Sequence, residues 1–151
     1  MGQTVTSDTG AQLFIDSDVS KIFVGSNKYE KGNLANGTGA ELTIPAGTLI
    51  GRISATSKLA IMKSASTDGS KTPIGVLAHD VVIATAGNAD LTFCNKGEVV
   101  ESKLVFDGSD TISDEVVISA ASNIKTTYND LINDLGIVLV DSIEMTNFDN
   151  Q

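Results

Sequence analysis

Tryptophan is absent from this 151-residue chain, and cysteine, histidine and arginine occur once each, at Cys94, His79 and Arg52. A single cysteine excludes an intrachain disulfide and any metal site built from a cysteine cluster. One arginine and scattered lysines leave no basic cluster of the kind that phosphate contacts demand. The formal net charge is −9 and the sequence pI ≈ 4.3, so the chain is not expected to bind nucleic acid. An anionic membrane surface is disfavoured for the same reason. No apolar run is long enough to span a bilayer. The start, "MGQTVTSDTG", lacks the basic region and apolar stretch of a secretory signal, and Gly2 matches a myristoylation start only weakly. The expectation is a protein made in a cytoplasm and kept soluble, its acidity available to a basic surface on a partner.

Aromatics are only 5% of the residues and hydrophobics 41%, so a core must be built from Ile, Val, Leu and Ala. The length suits one domain with a sizeable core. Fourteen glycines and many Thr, Ser, Asn and Asp suit short strands joined by turns. The expected fold is mixed α+β and mostly β: a small β-sandwich or barrel-like core, one short C-terminal helix and an extended N-terminal arm. Residues 1–11, polar and small, read as a flexible arm. Residues 12–146 read as a single β-rich domain, and 147–151 as a polar tail.

Within that body, "AQLFIDSDVSKIFVG" suggests two short strands around Phe14 and Phe23 with a turn at residues 16–20. "SNKYEKGNLANGTGA" reads as loop, and Asn36-Gly37 is a tight-turn signal. Asn36-Gly37-Thr38 also fits a glycosylation sequon, discounted without a secretion signal. In "ELTIPAGTLIGRI" a type I turn is expected, with Pro45 second and Gly47 fourth. "KLAIMKS" is another short strand, and Asp68-Gly69 a turn. "PIGVLAHDVVIATA" reads as one long β-rich run, with Ile74, Val76 and Ala78 on one face and Gly75, Leu77 and His79 on the other. "AGNAD" turns into "LTFCN", and Lys96-Gly97 is expected to turn again into "EVVESKLVF". Residues 107–122 read as a polar connection around one apolar run at 116–118. Tyr128, Leu131, Ile132 and Leu135 fall at i, i+3, i+4 and i+7 and predict a helix. Thr127 and Asp130 form its capping box and Gly136 its stop. "IVLVDSIEM" is the last strand.

Three groups are candidates for chemistry. His79 has Asp80 beside it, but neighbours in a strand point to opposite faces, and no G-x-S-x-G nucleophile elbow accompanies them. Cys94 has Lys96 two residues on; a lone cysteine in an apolar strand is ordinarily a small buried hydrophobe. The acidic clusters Asp16/Asp18, Asp107/Asp110 and Asp114/Glu115 lie in expected turns, which select Asp without any metal, and none matches a calcium loop. "NGTGAE" lacks the lysine and helix start of a phosphate loop. No catalytic residue, metal ligand or cofactor site is assigned, and the chain reads as an assembly or binding module rather than an enzyme.

Residues 44–106 carry a resemblance. "IPAGTLIGRI", "DGSKTPIGVLA", "LTFCNKGEVVESKLVF" and the later "LGIVLVDS", in that order, resemble the lambda-type head decoration, or capsid-cementing, proteins of tailed bacteriophages. The residues that match are Gly75, Val76, Leu77 and Ala78 of the G-[IV]-L-A strand, Phe93 of the L-T-F strand, Gly97 of the Lys-x-Gly step, and Phe106. The resemblance implies a virion structural protein that binds the outside of the mature head as homotrimers at three-fold or quasi-three-fold positions. There it clamps the major capsid protein against the pressure of packaged DNA. It also implies an N-terminal segment that orders on the shell, here Gln3, Thr4, Val5, Thr6, Ser7, Asp8 and Thr9. The chain departs from the family in being longer before Glu41, in having Phe106 where the lambda type has tryptophan, and in residues 107–122, read as an insertion. Two other readings compete. A surface-displayed adhesin-like module would bind glycan or protein, against which the dearth of aromatics counts. A small trimeric β enzyme would need His79 or an Asp cluster.

Overall fold

The computed structural model describes residues 22–119 and 121–141. The expected arm, the strand around Phe14 and the C-terminal tail lie outside the described residues. Among the described residues, ten strands and one α-helix follow in order, with a short 3-10 turn at Glu101–Lys103 between β7 and β8: β1 (Phe23–Ala35), β2 (Leu42–Ile44), β3 (Leu49–Arg52), β4 (Leu59–Ile61), β5 (Pro73–Leu77), β6 (Val81–Ile83), β7 (Asn88–Val100), β8 (Glu115–Ser119), β9 (Ile124–Thr127), α1 (Tyr128–Asp134) and β10 (Ile137–Val140). The main sheet runs β1-β4-β3-β5-β7-β10, and β1 also pairs with β7. That second pairing closes five strands into a small barrel, the expected β-rich class. β10 adds a parallel strand outside the ring. β2 and β6 form one separate two-stranded ladder, and β8 and β9 another.

Period-two alternation divides the apolar residues between the barrel interior and an outer layer. Leu34, Ile50, Leu59, Leu77, Leu91 and Phe93 come from all five ring strands and pack inside with Ile44 and Ile83 of the β2–β6 ladder. Leu49, Val76, Cys94 and Val99 point the other way, onto Tyr128 and Ile132 of α1, Ile137 of β10 and Val116 of β8. β5 is thus buried on both faces: Val76 stands opposite Cys94 and Leu77 opposite Phe93, all four fully buried. Each such side chain contributes about 1.5–3 kcal/mol by burial, whereas the exposed pairs Lys63–Asp107 and Lys125–Glu115 contribute little.

Several elements differ from the sequence expectation. Residues 26–35 are strand, not loop. β1 pairs with β7 from Phe23 opposite Val99 to Ala35 opposite Asn88, and its polar outer side chains conceal the strand. Gly32 faces inward, where an added Cβ would lie 2.9 Å from the Leu59 side chain. Lys96-Gly97 does not turn: β7 runs through it, and Gly97 (φ +139°) accommodates a bulge against Asn27, whose Oδ1 accepts from Glu98 N–H at 2.8 Å. The proline turn sits one residue later than expected. Thr48 N–H donates to the Pro45 carbonyl, putting Gly47 (φ +90°) third, the position that needs positive φ in a type II turn. The run from Pro73 breaks at residues 78–80, separating β5 from β6. Ile74 joins the inner cluster, not the face of Val76, because the β3–β5 register slips between Ile50/Gly75 and Gly51/Pro73. The expected polar connection contains β8, which pairs antiparallel with β9 just beyond it.

The helix matches its signals. Thr127 Oγ1 accepts from Asp130 N–H, and its hydroxyl also reaches the Asp130 carboxylate. Gly136 (φ +91°) follows the last turn.

The two-sided burial of β5 separates two substitutions in one short stretch. Val76→Asp would bury an unpaired carboxylate, costing roughly 3–5 kcal/mol or more, and should abolish cooperative folding by circular dichroism. His79 is exposed, so His79→Gln should leave the thermal unfolding midpoint unchanged.

Candidate functional site

The groups that promised chemistry are taken up by structure. His79 is exposed in the bend after β5. Asp80 does not orient it: its Oδ1 accepts from Ala46 N–H at 2.7 Å and pins the proline turn. Cys94 is fully buried, and burial pushes its thiol pKa above the ordinary value, so the nucleophilic thiolate is suppressed. Lys96 lies exposed with its stem over Gly136. Asp110 accepts from Ser64 N–H at 3.0 Å and Ser64 Oγ at 2.7 Å. Asp107 pairs with Lys63, Asp114 accepts from Thr111 N–H at 2.6 Å, and Glu115 pairs with Lys125. Asp107 and Asp110 fasten one loop to another, Asp114 closes its own turn, and Glu115 pairs across the β8–β9 ladder. Asp16 and Asp18 lie outside the described residues. Among the described residues no group of three or more His, Cys, Asp or Glu is placed to hold a metal, and no helix is long and apolar enough to cross a membrane.

The motif residues fall in three places. Gly75, Val76, Leu77, Ala78 and Phe93 meet where β5 crosses β7. An added Cβ on Gly75 would collide with the Phe93 ring and the Cys94 carbonyl, so the glycine lets the two strands close. Gly97 sits apart, at the bulge beside Asn27. Phe106 is half-buried on the outer layer, its ring 5.8 Å from that of Tyr128. The segment before it bridges Thr48 through Val105, with Val105 N–H donating to the Gly47 carbonyl at 2.9 Å. The expected capsid-binding residues, Gln3 to Thr9, lie outside the described residues.

Sequence reasoning missed the polar features around Tyr128 and Asn36. Tyr128 is wholly buried, and its hydroxyl has no hydrogen-bond partner among the described residues. Burial first, then the charge of Asp110, pushes its phenol up to about 12. Its place on the helix's apolar face was legible; the missing partner depends on how loop 107–114 folds over it. Asn36, read as a turn residue, is buried, and its side-chain amide is bonded to two separate segments, at Ala40 and at Ile83–Ala84.

A surface remains where the N-terminal segment joins the body. Val100 N–H donates to the Ile22 carbonyl at 2.8 Å, fixing the first described residue beside the end of β7. Across β1, β7 and β10, the row Phe23–Val99–Leu139 faces the outer core, and the adjoining row Val24–Glu98–Val138 faces away from it. Val138 is 55% exposed and Tyr29, whose ring meets Phe23 edge-on, 44% exposed. Val138 thus stands exposed beside the root on the face turned from the outer core, and Tyr29, opposite Cys94, is exposed on the other face.

The family model described as bacteriophage lambda head decoration protein D matches residues 22–125, well over half of the chain. The chain belongs to that family. This makes it a structural protein of the phage type, with a role in capsid decoration. The match starts at the root of the N-terminal segment, takes in all of β1, and ends within β9. The quoted motifs from Ile44 to Phe106 lie inside it and "LGIVLVDS" outside. Comparison with the curated proteins gave no match.

The buried phenol generates a test. The folded group ionises near 12 and the free group near 10, so the folded state keeps its proton longer. The phenol's effect is absent below about pH 10, and stability falls as pH rises from 10 towards 12. Tyr128→Phe should remove that alkaline slope in denaturant titrations. It should also leave stability at pH 7 equal or up to about 1 kcal/mol higher, because an unpaired hydroxyl is deleted.

Proposed function

We propose that the protein cements the mature phage head from outside. Homotrimers sit at three-fold or quasi-three-fold positions of the major capsid protein lattice and hold neighbouring subunits against the outward pressure of packaged DNA. The protein is made in the host cytoplasm and joins the virion's outer surface. It carries no catalytic activity in this reading, and it contacts neither nucleic acid nor membrane. The observation that carries the reading is the family match over residues 22–125. The match begins where the polar N-terminal segment meets the body.

In this account residues 3–9 order on the shell by adding to a capsid strand, a mode in which main-chain hydrogen bonds supply affinity. The face bearing Val24, Glu98 and Val138 turns toward the shell with them. Ordering seven residues costs on the order of 10 kcal/mol of conformational entropy. One arm is thus a weak anchor, and three arms acting together with the face beside each root supply avidity. The motif residues Gly75, Val76, Leu77, Ala78 and Phe93 build the body that holds these roots in place, with Gly97 shaping β7 and Phe106 covering α1.

Purified protein mixed with mature, undecorated heads should bind saturably and raise the temperature at which the heads rupture. Absence of saturable binding would overturn the proposal. Deleting residues 1–11 should leave the thermal unfolding midpoint unchanged and abolish attachment. Unfolding on that deletion would contradict the arm's role.

A further inference from the structure

Asn36-Gly37 is a dipeptide prone to deamidation, because glycine has no side chain to hinder attack by its own backbone nitrogen on the preceding carboxamide. In the reaction the Gly37 nitrogen gives up its proton and attacks Asn36 Cγ. The new N–Cγ bond forms as the Cγ–Nδ2 bond breaks, and ammonia leaves with that proton. Water then opens the cyclic imide at either carbonyl, leaving aspartate or isoaspartate.

The fold holds Asn36 away from this reaction. The residue is 4% exposed. Its Oδ1 accepts from Thr38 N–H at 2.9 Å and Thr38 Oγ1 at 2.6 Å. Its Nδ2 donates to the carbonyls of Ala40 at 2.8 Å and of Ile83 and Ala84 at 3.0 Å each. Its own N–H donates to Gly87 at 2.9 Å. Ring closure requires the carboxamide to rotate out of its bonds to Thr38, Ala40, Ile83 and Ala84. The product is also excluded from the native site. A carboxylate has no donors, and at position 36 it would face three carbonyl oxygens in a buried setting.

We infer that Asn36-Gly37 is a modification site gated by folding: the folded chain is protected, the unfolded chain deamidates with water as the only co-reactant, and the modified chain no longer regains the native state. The site then acts as a one-way mark on chains that linger unfolded.

The test incubates the full-length protein at pH 8, folded in buffer and unfolded in urea, and maps peptides by mass and by isoaspartate content. Conversion at Asn36 should be at least about 100-fold slower in the folded sample, since it must await opening of the β1–β2 loop. Equal rates in the two samples would overturn the inference. Gly37 has open space around it, so Gly37→Ala should fold normally and slow the reaction in urea; an unchanged rate there would contradict the assigned chemistry. When the aged urea sample is refolded, the native fraction should be depleted of modified chains and Asn36→Asp should fail to populate it. Recovery of modified chains in full native yield would overturn the one-way step.

Discussion

Closure of β1 on β7 is the constraint on which the rest depends. Without it the sheet has two open edges, and Leu34, Ile50, Leu59, Leu77, Leu91 and Phe93 have no enclosed interior to fill. β1 contributes few buried side chains itself, and Gly32 contributes none. Its value lies in the backbone ladder to β7 and in the room that Gly32 leaves for Leu59. Ring closure also removes exposed strand edges, a hazard for a small β protein.

The same closure determines what the surface can do. β7 is shared by β1, β5 and β10, so the root of the N-terminal segment is fixed to the most connected strand of the molecule. A pull on that segment is delivered to the barrel rather than to a loop. The acidic residues that could have suggested a metal or an acid–base pair instead bind backbone amides, hydroxyls and lysines. These are the properties of a rigid body, and they fit a protein that decorates a capsid.

The legible parts of the sequence were those where side chains announce their surroundings. Ile, Val and Leu alternation located β3, β5 and the first half of β7, and Thr127, Asp130 and Gly136 bracketed the helix. β1 beyond the strand expected around Phe23 escaped because its outer face is Lys, Asn and Tyr and its inner face includes a glycine; only the partner strand makes residues 26–35 a strand. Gly97 was misread because a glycine after lysine suits a turn or a bulge equally, and tertiary pairing with Asn27 decides between them. Asn36-Gly37 showed the same ambiguity: a turn signal locally, a buried anchor once residues 40, 83, 84 and 87 are gathered around it. The family motifs from Ile44 to Phe106 were visible because they are packing residues. The proposed contact surface was not, since its exposed side chains follow no periodicity.

A cryo-electron microscopy map of mature heads saturated with the protein tests the central claim most directly. The account predicts three-fold density on the outer shell, with the Val24–Glu98–Val138 face toward the capsid and continuous density running from Ile22 into a capsid strand. Barrel density with that face and Ile22 directed to solvent would contradict it.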